Sequence, residues 1–459
     1  MKKIIIFLVL ILIAISLLPI IGNKVVDEEV KNRLTVLTSY GVEIKTNSNS
    51  SSYLTTQKHY ELKVIDSDKF VSYLQQFSDK QFPPYINSML QGVIIGSDIK
   101  YSNLFFNDAV GVEIYPLSLS KKFMNFIQNE DKQLNNYIQN ILQTKGILYH
   151  IDYNVLRSDF NGYIKDIDEK YILQDGTKVS LNLQDSTFTG KGLLIAPQRI
   201  DSTIKNFAFN IIRLNEEVKI VLKDWDSSSN FESASTYAHA TNIRSFYLKA
   251  RGTIMGDLAL DLQKVYIDFS SNTQSNKAQF YTKTSFESLN LLQNKSKIRL
   301  ERFNYDMALK NIDKDSFEKL RVLLIQQKIS NSKPLANDIQ TAMIDIISKG
   351  LNILIADFSI KKLDYKKYKN MDGFSIKSDL ALKEDLNLVK NINFNPNKVI
   401  KNLDINTSIK ISKQMFNAIE KEVPMVMLIK GYSKEQGENM VFNFLLQDGI
   451  FSINGKVIR

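Results

Sequence analysis

Residues Leu258 to Phe269 read LALDLQKVYIDF, and apolar and polar residues alternate along this stretch with a period of two. Successive side chains of a β-strand point to opposite faces, so this alternation predicts a strand with one apolar and one polar face. The alternation shifts by one residue at Lys264, and the same shift recurs between Leu300 and Phe303. One-residue shifts of this kind predict β-bulges in long, twisted strands.

The same period extends outward over residues 148–310 and returns in residues 351–459. In the first range, Asp175-Gly176 separates two apolar runs and predicts a hairpin with a primed turn. Near the C-terminus, two further turn pairs bound short alternating runs, namely Asp448-Gly449 and Asn454-Gly455. We therefore expect antiparallel sheet in both ranges.

Helical spacing of apolar residues interrupts the strand pattern at residues 25–38, 121–142, 313–329, 334–349 and 412–421, and Phe70, Leu74 and Phe77 predict a further short helix. The apolar stripe of segment 121–142 indicates core packing rather than a ligand site. The polar run NSNSSS at residues 47–52 predicts a loop.

These patterns divide the chain into five predicted regions. They are a signal-anchor transmembrane helix (1–23), a mixed α/β region with a stalk helix (24–147), a β-rich domain (148–310), a helical insertion (311–350) and a C-terminal sheet region (351–459). The predicted fold class is α+β, in which the transmembrane helix precedes long, twisted antiparallel sheets with helices packed on one face.

The transmembrane prediction rests on residues 4–21, an uncharged apolar block that directly follows Lys2 and Lys3. As a helix it would be about 27 Å long, which just crosses a bilayer core. A cleaved signal peptide would need a small-residue site and a lipoprotein would need a cysteine, and the sequence has neither after the block. We therefore expect a retained anchor that contacts lipid through Ile4, Phe7, Leu10, Ile13, Leu17 and Ile20.

This anchor predicts a single-pass protein of the bacterial inner membrane, with a cytoplasmic N-terminus and the bulk of the chain in the periplasm. The formal net charge is +10, and the largest lysine cluster, residues 361–369, indicates a solvated face. Nucleic acid is an improbable partner in that compartment. Because the chain has no cysteine, no disulfide can contribute to its stability.

A search for catalytic motifs yields no credible candidate. The three histidines, His59, His150 and His239, are isolated in sequence, which excludes a zinc motif of the His-Glu-x-x-His kind. For His59 and His150 we expect a hydrogen-bonded structural role, although sequence leaves open whether the histidines converge in space. The run Asp166 to Glu169 could ligate calcium but favours a solvated turn. We predict no catalytic, cofactor-binding or metal-binding residue and no cofactor.

Residues Leu446 to Ile458 read LQDGIFSINGKVI, and this stretch resembles the closing hairpin of the YdgA-like family of bacterial envelope proteins. The segment Ile346 to Ile360 is similar to the family's transition from helix through glycine to strand. The family's tyrosine-x-arginine-glycine and histidine-glycine-proline motifs are absent. The resemblance implies an inner-membrane-anchored periplasmic protein of unsettled role, with a hairpin built on Asp448, Gly449, Asn454, Gly455 and Lys456.

The function predicted from these patterns is non-enzymatic binding of lipid or another envelope component by an apolar sheet face. Whether helices cover that face or leave it open cannot be read from the sequence. Two alternatives stay open, namely a protein scaffold in an envelope machine and a periplasmic hydrolase. The hydrolase would need one of the histidines within hydrogen-bonding reach of a serine and a carboxylate.

Overall fold

A computed structural model of the chain describes residues 27–28, 30–75, 85–103, 109–194, 196–233, 235–253, 256–273, 275–294, 296–330, 335–365, 368–388, 391, 396–423 and 426–458. The chain divides into two units, unit 1 (Met1–Leu214) and unit 2 (Asn215–Arg459). Of the described residues, about three fifths lie in antiparallel strands and about a quarter in helices.

Unit 1 contains a meandering antiparallel sheet in which consecutive strands pair. The long strand β8 pairs β7 along its first part and β6 along its second part. The strands are β1 (Val42–Ser51), β2 (Thr55–Val64), β3 (Ile94–Ser102), β4 (Ala109–Ser118), β5 (Tyr149–Asn154), β6 (Asp159–Ile164), β7 (Ile167–Ile172), β8 (Lys178–Leu193) and β9 (Ala196–Arg213).

One face of the β1–β4 sheet is covered by helix α1, residues 30–39. The buried side chains under it are those of Tyr60, Ile99 and Tyr101, and Val30 and Leu34 of the helix pack against them. The helix ends before Gly41, whose φ of +81° favours glycine.

The other helices of unit 1 connect strands. They are α2 (Ser67–Gln75), α3 (Tyr85–Leu90), α4 (Lys121–Glu130) and α5 (Lys132–Gln143). The single helix predicted over residues 121–142 is therefore two. Asp131 separates them, because its carboxylate accepts hydrogen bonds from the backbone N–H groups of Gln133 (2.8 Å) and Leu134 (2.9 Å) and so caps α5.

Unit 2 contains a second antiparallel meander with longer strands. After β17 the order changes, since β19 pairs β17, β18 and β20. The strands are β10 (Glu216–Phe231), β11 (Tyr237–Thr253), β12 (Gly256–Asn272), β13 (Lys277–Gln293), β14 (Ser296–Asp313), β15 (Leu351–Tyr365), β16 (Tyr368–Leu382), β17 (Leu403–Ser412), β18 (Lys434–Gln436), β19 (Asn439–Gln447), β20 (Ile450–Ile453) and β21 (Lys456–Val457).

The helices of unit 2 are α6 (Lys314–Ser330), α7 (Leu335–Ser348), α8 (Pro396–Lys401), α9 (Lys413–Glu422) and α10 (Met427–Lys430). Helix α9 covers the C-terminal strands, where Phe416 stacks on Phe442 with ring centroids 5.7 Å apart. Ser412 caps this helix by accepting a hydrogen bond from the N–H of Met415 (3.1 Å), in agreement with the predicted capped helix at 412–421.

The predicted fold class, α+β with a transmembrane helix followed by antiparallel sheets with helices packed on one face, is wrong. Strands of 15 to 18 residues dominate unit 2, and the described helices connect strands or cover only part of a sheet. The β-rich character is confirmed. The predicted loop at residues 47–52 is also wrong over residues 47–51, because these belong to β1 and gain their hydrogen bonds from β2.

The predictions of a transmembrane anchor and of a single-pass inner-membrane location are corrected as well. None of the helices in the described ranges is long and apolar enough to cross a membrane. A span needs about 20 mostly apolar residues, whereas α6, with 17 residues, carries charged side chains throughout. The predicted segment 1–23, with Ile4, Phe7, Leu10, Ile13, Leu17 and Ile20, lies outside the described residues.

Candidate functional site

Two cross-strand rows of large apolar side chains run across five strands of unit 2, from β10 to β14. Directly opposed residues of antiparallel strands lie on the same face, so the register alone places each row on one side. We call these ten side chains the apolar face; they are Ile220, Leu248, Leu260, Leu291 and Ile298 in one row and Leu222, Phe246, Leu262, Leu289 and Leu300 in the other.

None of the ten side chains of the apolar face is buried; each keeps an intermediate exposure to solvent. The helices of unit 2 contact mainly β13, β14 and the strands from β16 onward. By comparison, side chains under α1 in unit 1 fall to 3% exposure at Tyr101 and 5% at Tyr60. The apolar face is therefore left open by the described helices, which answers the question that the sequence left open.

The opposite face of the same strands is polar. Residues one position along each strand, such as Lys249 and Asp261, occupy this face. Lys249 Nζ donates to Glu217 Oε2 (2.5 Å), and Arg299 forms an ion pair with Glu301 (2.7 Å). This sheet is thus amphipathic, with its charges on the face away from the apolar rows.

The two phase shifts predicted from sequence lie at backbone irregularities. Lys264 and Arg302 have φ values of +50° and +52°, and Asp224 has +46°. The pairing register is the same on both sides of the shift, since Gln263 lies opposite Ser245 and Val265 lies opposite Ile243. A β-bulge adds an extra residue to one strand only, so the predicted bulges at Lys264 and between Leu300 and Phe303 are wrong. The shifts come instead from residues with positive φ at matching positions of alternate strands.

A small uncharged polar cluster lies beyond the shift, where the apolar pattern of β10 and β11 ends. His239 Nδ1 is 2.7 Å from Ser229 Oγ, and its Nε2 is 2.7 Å from Thr241 Oγ1. The imidazole also packs on Phe269, with ring centroids 4.7 Å apart. Burial lowers the pKa of His239, so the ring is neutral at pH 7.

A second polar arrangement lies in unit 1, on four neighbouring strands. His59, Asp98, Glu113 and His150 stand directly opposite one another from β2 to β5, so they form one row on one face. His59 Nδ1 donates to Asp98 Oδ1 (2.6 Å). We call this the charged row. The sequence could not reveal it, because the four residues are up to 91 positions apart and only the register aligns them.

Asp98 is the centre of the charged row. Its other oxygen accepts hydrogen bonds from Lys145 Nζ (2.6 Å) and Tyr115 OH (2.8 Å). Burial alone would raise the pKa of Asp98, but the hydrogen bonds from Lys145, His59 and Tyr115 outweigh it and lower the pKa. Tyr115 reaches this position across Gly96, where a Cβ atom would lie 2.4 Å from the ring.

His150 completes the charged row at the β5 end. Its Nε2 lies 3.2 Å from Asp152 Oδ2, whereas its Nδ1 is buried without a hydrogen-bond partner and lies 4.0 Å from Glu113 Oε1. An open cavity of about 730 Å³ lies over this part of the sheet, above Gly111. The hydrogen-bonded state predicted for His59 is confirmed, and the histidines at 59 and 150 share one face.

Neither histidine environment forms a catalytic triad. Among the described residues, His59 bonds a carboxylate and His239 bonds hydroxyl groups, but no histidine is hydrogen-bonded to both a serine and a carboxylate. No group of three metal-binding side chains occurs in the described part of the chain. The turn predicted at 166–169 is wrong over residues 167–169, which begin β7. Asp166 accepts a hydrogen bond from the N–H of Asp185 (2.9 Å), and Glu169 accepts one from Tyr137.

The hairpin residues singled out by the family resemblance lie in two tight turns. Asp448 and Gly449 have φ values of +52° and +81°, and Asn454 and Gly455 have +51° and +82°, as type I′ turns require. Lys456 begins β21. These residues shape the sheet edge and lie in neither the apolar face nor the charged row.

No protein-family model matches this chain, and no curated protein or solved structure matches it either. The resemblance to the YdgA-like family stays a prediction.

Proposed function

We propose that this protein binds lipid non-enzymatically, with acyl chains lying on the apolar face of unit 2. The observation that carries the proposal is that ten large apolar side chains share one face of five strands and none of them is buried. Five strands span about 19 Å across the sheet, so two rows cover roughly 300 Å². The largest apolar patch on a monomeric protein is commonly about 300–600 Å² and is often functional.

The chemistry of the face favours an acyl chain over a polar ligand. The ten residues are leucine, isoleucine and phenylalanine, and they offer no hydrogen-bonding group. Burying about 300 Å² yields roughly 7 kcal/mol before the loss of translational freedom, so a single chain would be held reversibly. The neutral cluster around His239 offers hydroxyl and imidazole groups to an uncharged polar end of an amphiphile.

The test is titration of the purified full chain with a fluorescent fatty acid. The double variant L248Q/L260Q places two amides in the apolar face at a directly opposed pair. The control K249Q/A259Q alters the adjacent opposed pair on the polar face. We expect binding to weaken at least about tenfold in the first variant and less than about twofold in the control.

Equal affinities of the two variants would contradict the proposal, provided that circular dichroism shows both to be folded. Native mass spectrometry of the same preparation addresses the scaffold alternative. Copurifying lipid supports lipid binding, whereas a fixed oligomer without lipid supports the scaffold.

A further inference from the structure

Three hairpin turns of unit 1 expose large apolar side chains at one end of its sheet. The turns connect β1 to β2, β5 to β6, and β8 to β9. Each presents two apolar residues that are close to half exposed, and we call these six the apolar tips. Their exposed fractions are Tyr53 58%, Leu54 50%, Val155 48%, Leu156 55%, Leu193 54% and Leu194 43%.

The register places all three turns at the same end of the sheet. A single row of opposed residues crosses the strands just before the turns, and it consists of Gln57, Lys100, Gly111, Asp152, Asn161, Thr189 and Asp201. Each apolar tip begins within four residues of this row. The tips therefore project from one edge, and adjacent strands are about 4.8 Å apart.

Buried amide side chains hold two of the three turns in place, those between β1 and β2 and between β5 and β6. Asn103 is 3% exposed, and its Nδ2 donates to the carbonyl oxygens of Ser52 (2.8 Å) and Tyr53 (3.3 Å). Asn154 is 7% exposed, and its Oδ1 accepts from the N–H of Arg157 (2.9 Å). The exposure of the apolar tips is thus built into hydrogen-bonded turns, and a fold gains nothing from holding apolar groups in water unless a partner covers them.

The area and spacing of the tips favour a lipid surface over a protein partner. Six half-exposed side chains offer roughly 600 Å², less than the ~800 Å² per partner of a standard protein interface. The centres of the β1–β2 and β5–β6 turns are about four strand spacings apart, roughly 19 Å, so the tips are separate points. A fluid bilayer accommodates separate points, whereas a folded partner needs matching cavities for each.

The charges near the tips fit the same partner. Within the described residues of the three tips, the only charged side chain is that of Arg157, which pairs with Asp159 (3.1 Å). Lys191 and Arg199 lie directly opposite each other just behind the tips, and Arg199 pairs with Asp201 (2.7 Å). Polar groups set behind protruding apolar groups match the headgroup layer above the acyl region of a bilayer.

We propose that the apolar tips of unit 1 insert into the surface of a lipid bilayer and orient the sheet of unit 1 end-on to it. This contact is independent of acyl-chain binding on the apolar face of unit 2, because it uses other residues of the other unit.

The experiment uses the full chain, whose lack of cysteine allows labelling at a single introduced thiol. An environment-sensitive fluorophore is attached at Leu156→Cys or at Leu193→Cys. The control is Gln174→Cys, an exposed site in the turn at the opposite end of β8. Because residues 4–21 are apolar and can themselves bind vesicles, the readout is local: quenching by nitroxide lipids in phosphatidylcholine–phosphatidylglycerol vesicles.

We expect the nitroxide lipids to quench the fluorophore strongly at positions 156 and 193 and only weakly at position 174. When Leu54→Ser and Leu156→Ser are added to the protein labelled at position 193, we expect its vesicle affinity, measured by this quenching, to fall at least about tenfold. Equal quenching at 174 and 193, or none at 156 and 193, would overturn the proposal. A concentration-dependent blue shift without vesicles would also overturn it, since it would mean that a second copy of the chain covers the tips. If L248Q/L260Q abolishes fatty-acid binding while the fluorophore at position 193 is still quenched, the two contacts are independent of each other.

Discussion

The apolar sheet faces of the two units differ in how far they are buried. In unit 1, α1 lies over the face formed by Tyr60, Ile99 and Tyr101, and these side chains are buried. In unit 2, the rows centred on Leu260 and Leu262 are longer and richer in leucine, yet they stay partly exposed. Strand alternation is the same in both units, so alternation alone does not create a core. A covering helix turns the face of unit 1 into a core, whereas the face of unit 2, which the described helices do not cover, stays partly exposed.

The largest expected effect tests whether the covered face is the more stabilising one. Replacing Ile99 by alanine should lower the free energy of unfolding of unit 1 by about 3 kcal/mol, because a cavity remains under α1. Replacing Leu260 by alanine should cost unit 2 about 1 kcal/mol or less, since the removed atoms are partly in water already. Urea-dependent hydrogen exchange in the strands of each unit gives both values. Equal losses would mean that the apolar face of unit 2 is covered after all.

A smaller effect is expected on the polar side of unit 1. Replacing Asp98 by asparagine removes the charged acceptor of Lys145, His59 and Tyr115 and should destabilise unit 1 by about 2 kcal/mol at pH 7. Glu113→Gln is the matched control with a smaller loss, because Glu113 accepts one hydrogen bond from Lys145, at 3.1 Å.

The acid dependence of this variant has a definite sign. Asp98 has a lowered pKa in the folded state, so its contribution is present above the unfolded pKa of about 3.9 and is lost as pH falls through the folded value. Stability of the native protein should therefore decline more steeply than that of Asp98→Asn below about pH 4. Urea midpoints measured between about pH 5 and pH 2 check this, and parallel curves would refute the assignment of the hydrogen bonds to ionised Asp98.

The smallest effect concerns His239 on unit 2. Burial lowers its pKa, so the unfolded chain binds a proton more readily than the folded one. Stability should then fall as pH drops below about 6.5, and His239→Gln, which keeps hydrogen-bonding groups for Ser229 and Thr241, should flatten this dependence. Thermal melting at pH 7.5 and pH 5.5 measures the difference. A native protein that loses no more stability between pH 7.5 and pH 5.5 than this variant would contradict the lowered pKa.

Several elements could be predicted because their signals are local. The phase shift at Lys264 marks a residue with φ of +50°, and the turn pairs at 448–449 and 454–455 adopt the conformation that their residue types favour. The hairpin at Asp175-Gly176 was placed correctly, but its turn is not primed, since only Gly176 has positive φ. These features depend on residues within a few positions of one another.

Other features escaped prediction because they depend on pairing partners. Residues 47–51 read as a loop from their composition, but hydrogen bonds to β2 make them a strand. The apolar tips were missed too, although the pairs Val155-Leu156 and Leu193-Leu194 next to turns are visible in the sequence. An apolar pair beside a turn reads as the end of a strand, and only the structure shows that three such pairs share one end of a sheet.

By itself, the sequence determined the β-rich character, the strands with their phase shifts, the turns and the absence of a local catalytic motif. Each of these features depends on short-range periodicity and on residue type. The tertiary structure decided which faces are covered, that His59, Asp98, Glu113 and His150 form one row, and that the apolar tips lie together. Those facts follow from strand register and helix placement, which arise from contacts between residues far apart in the chain.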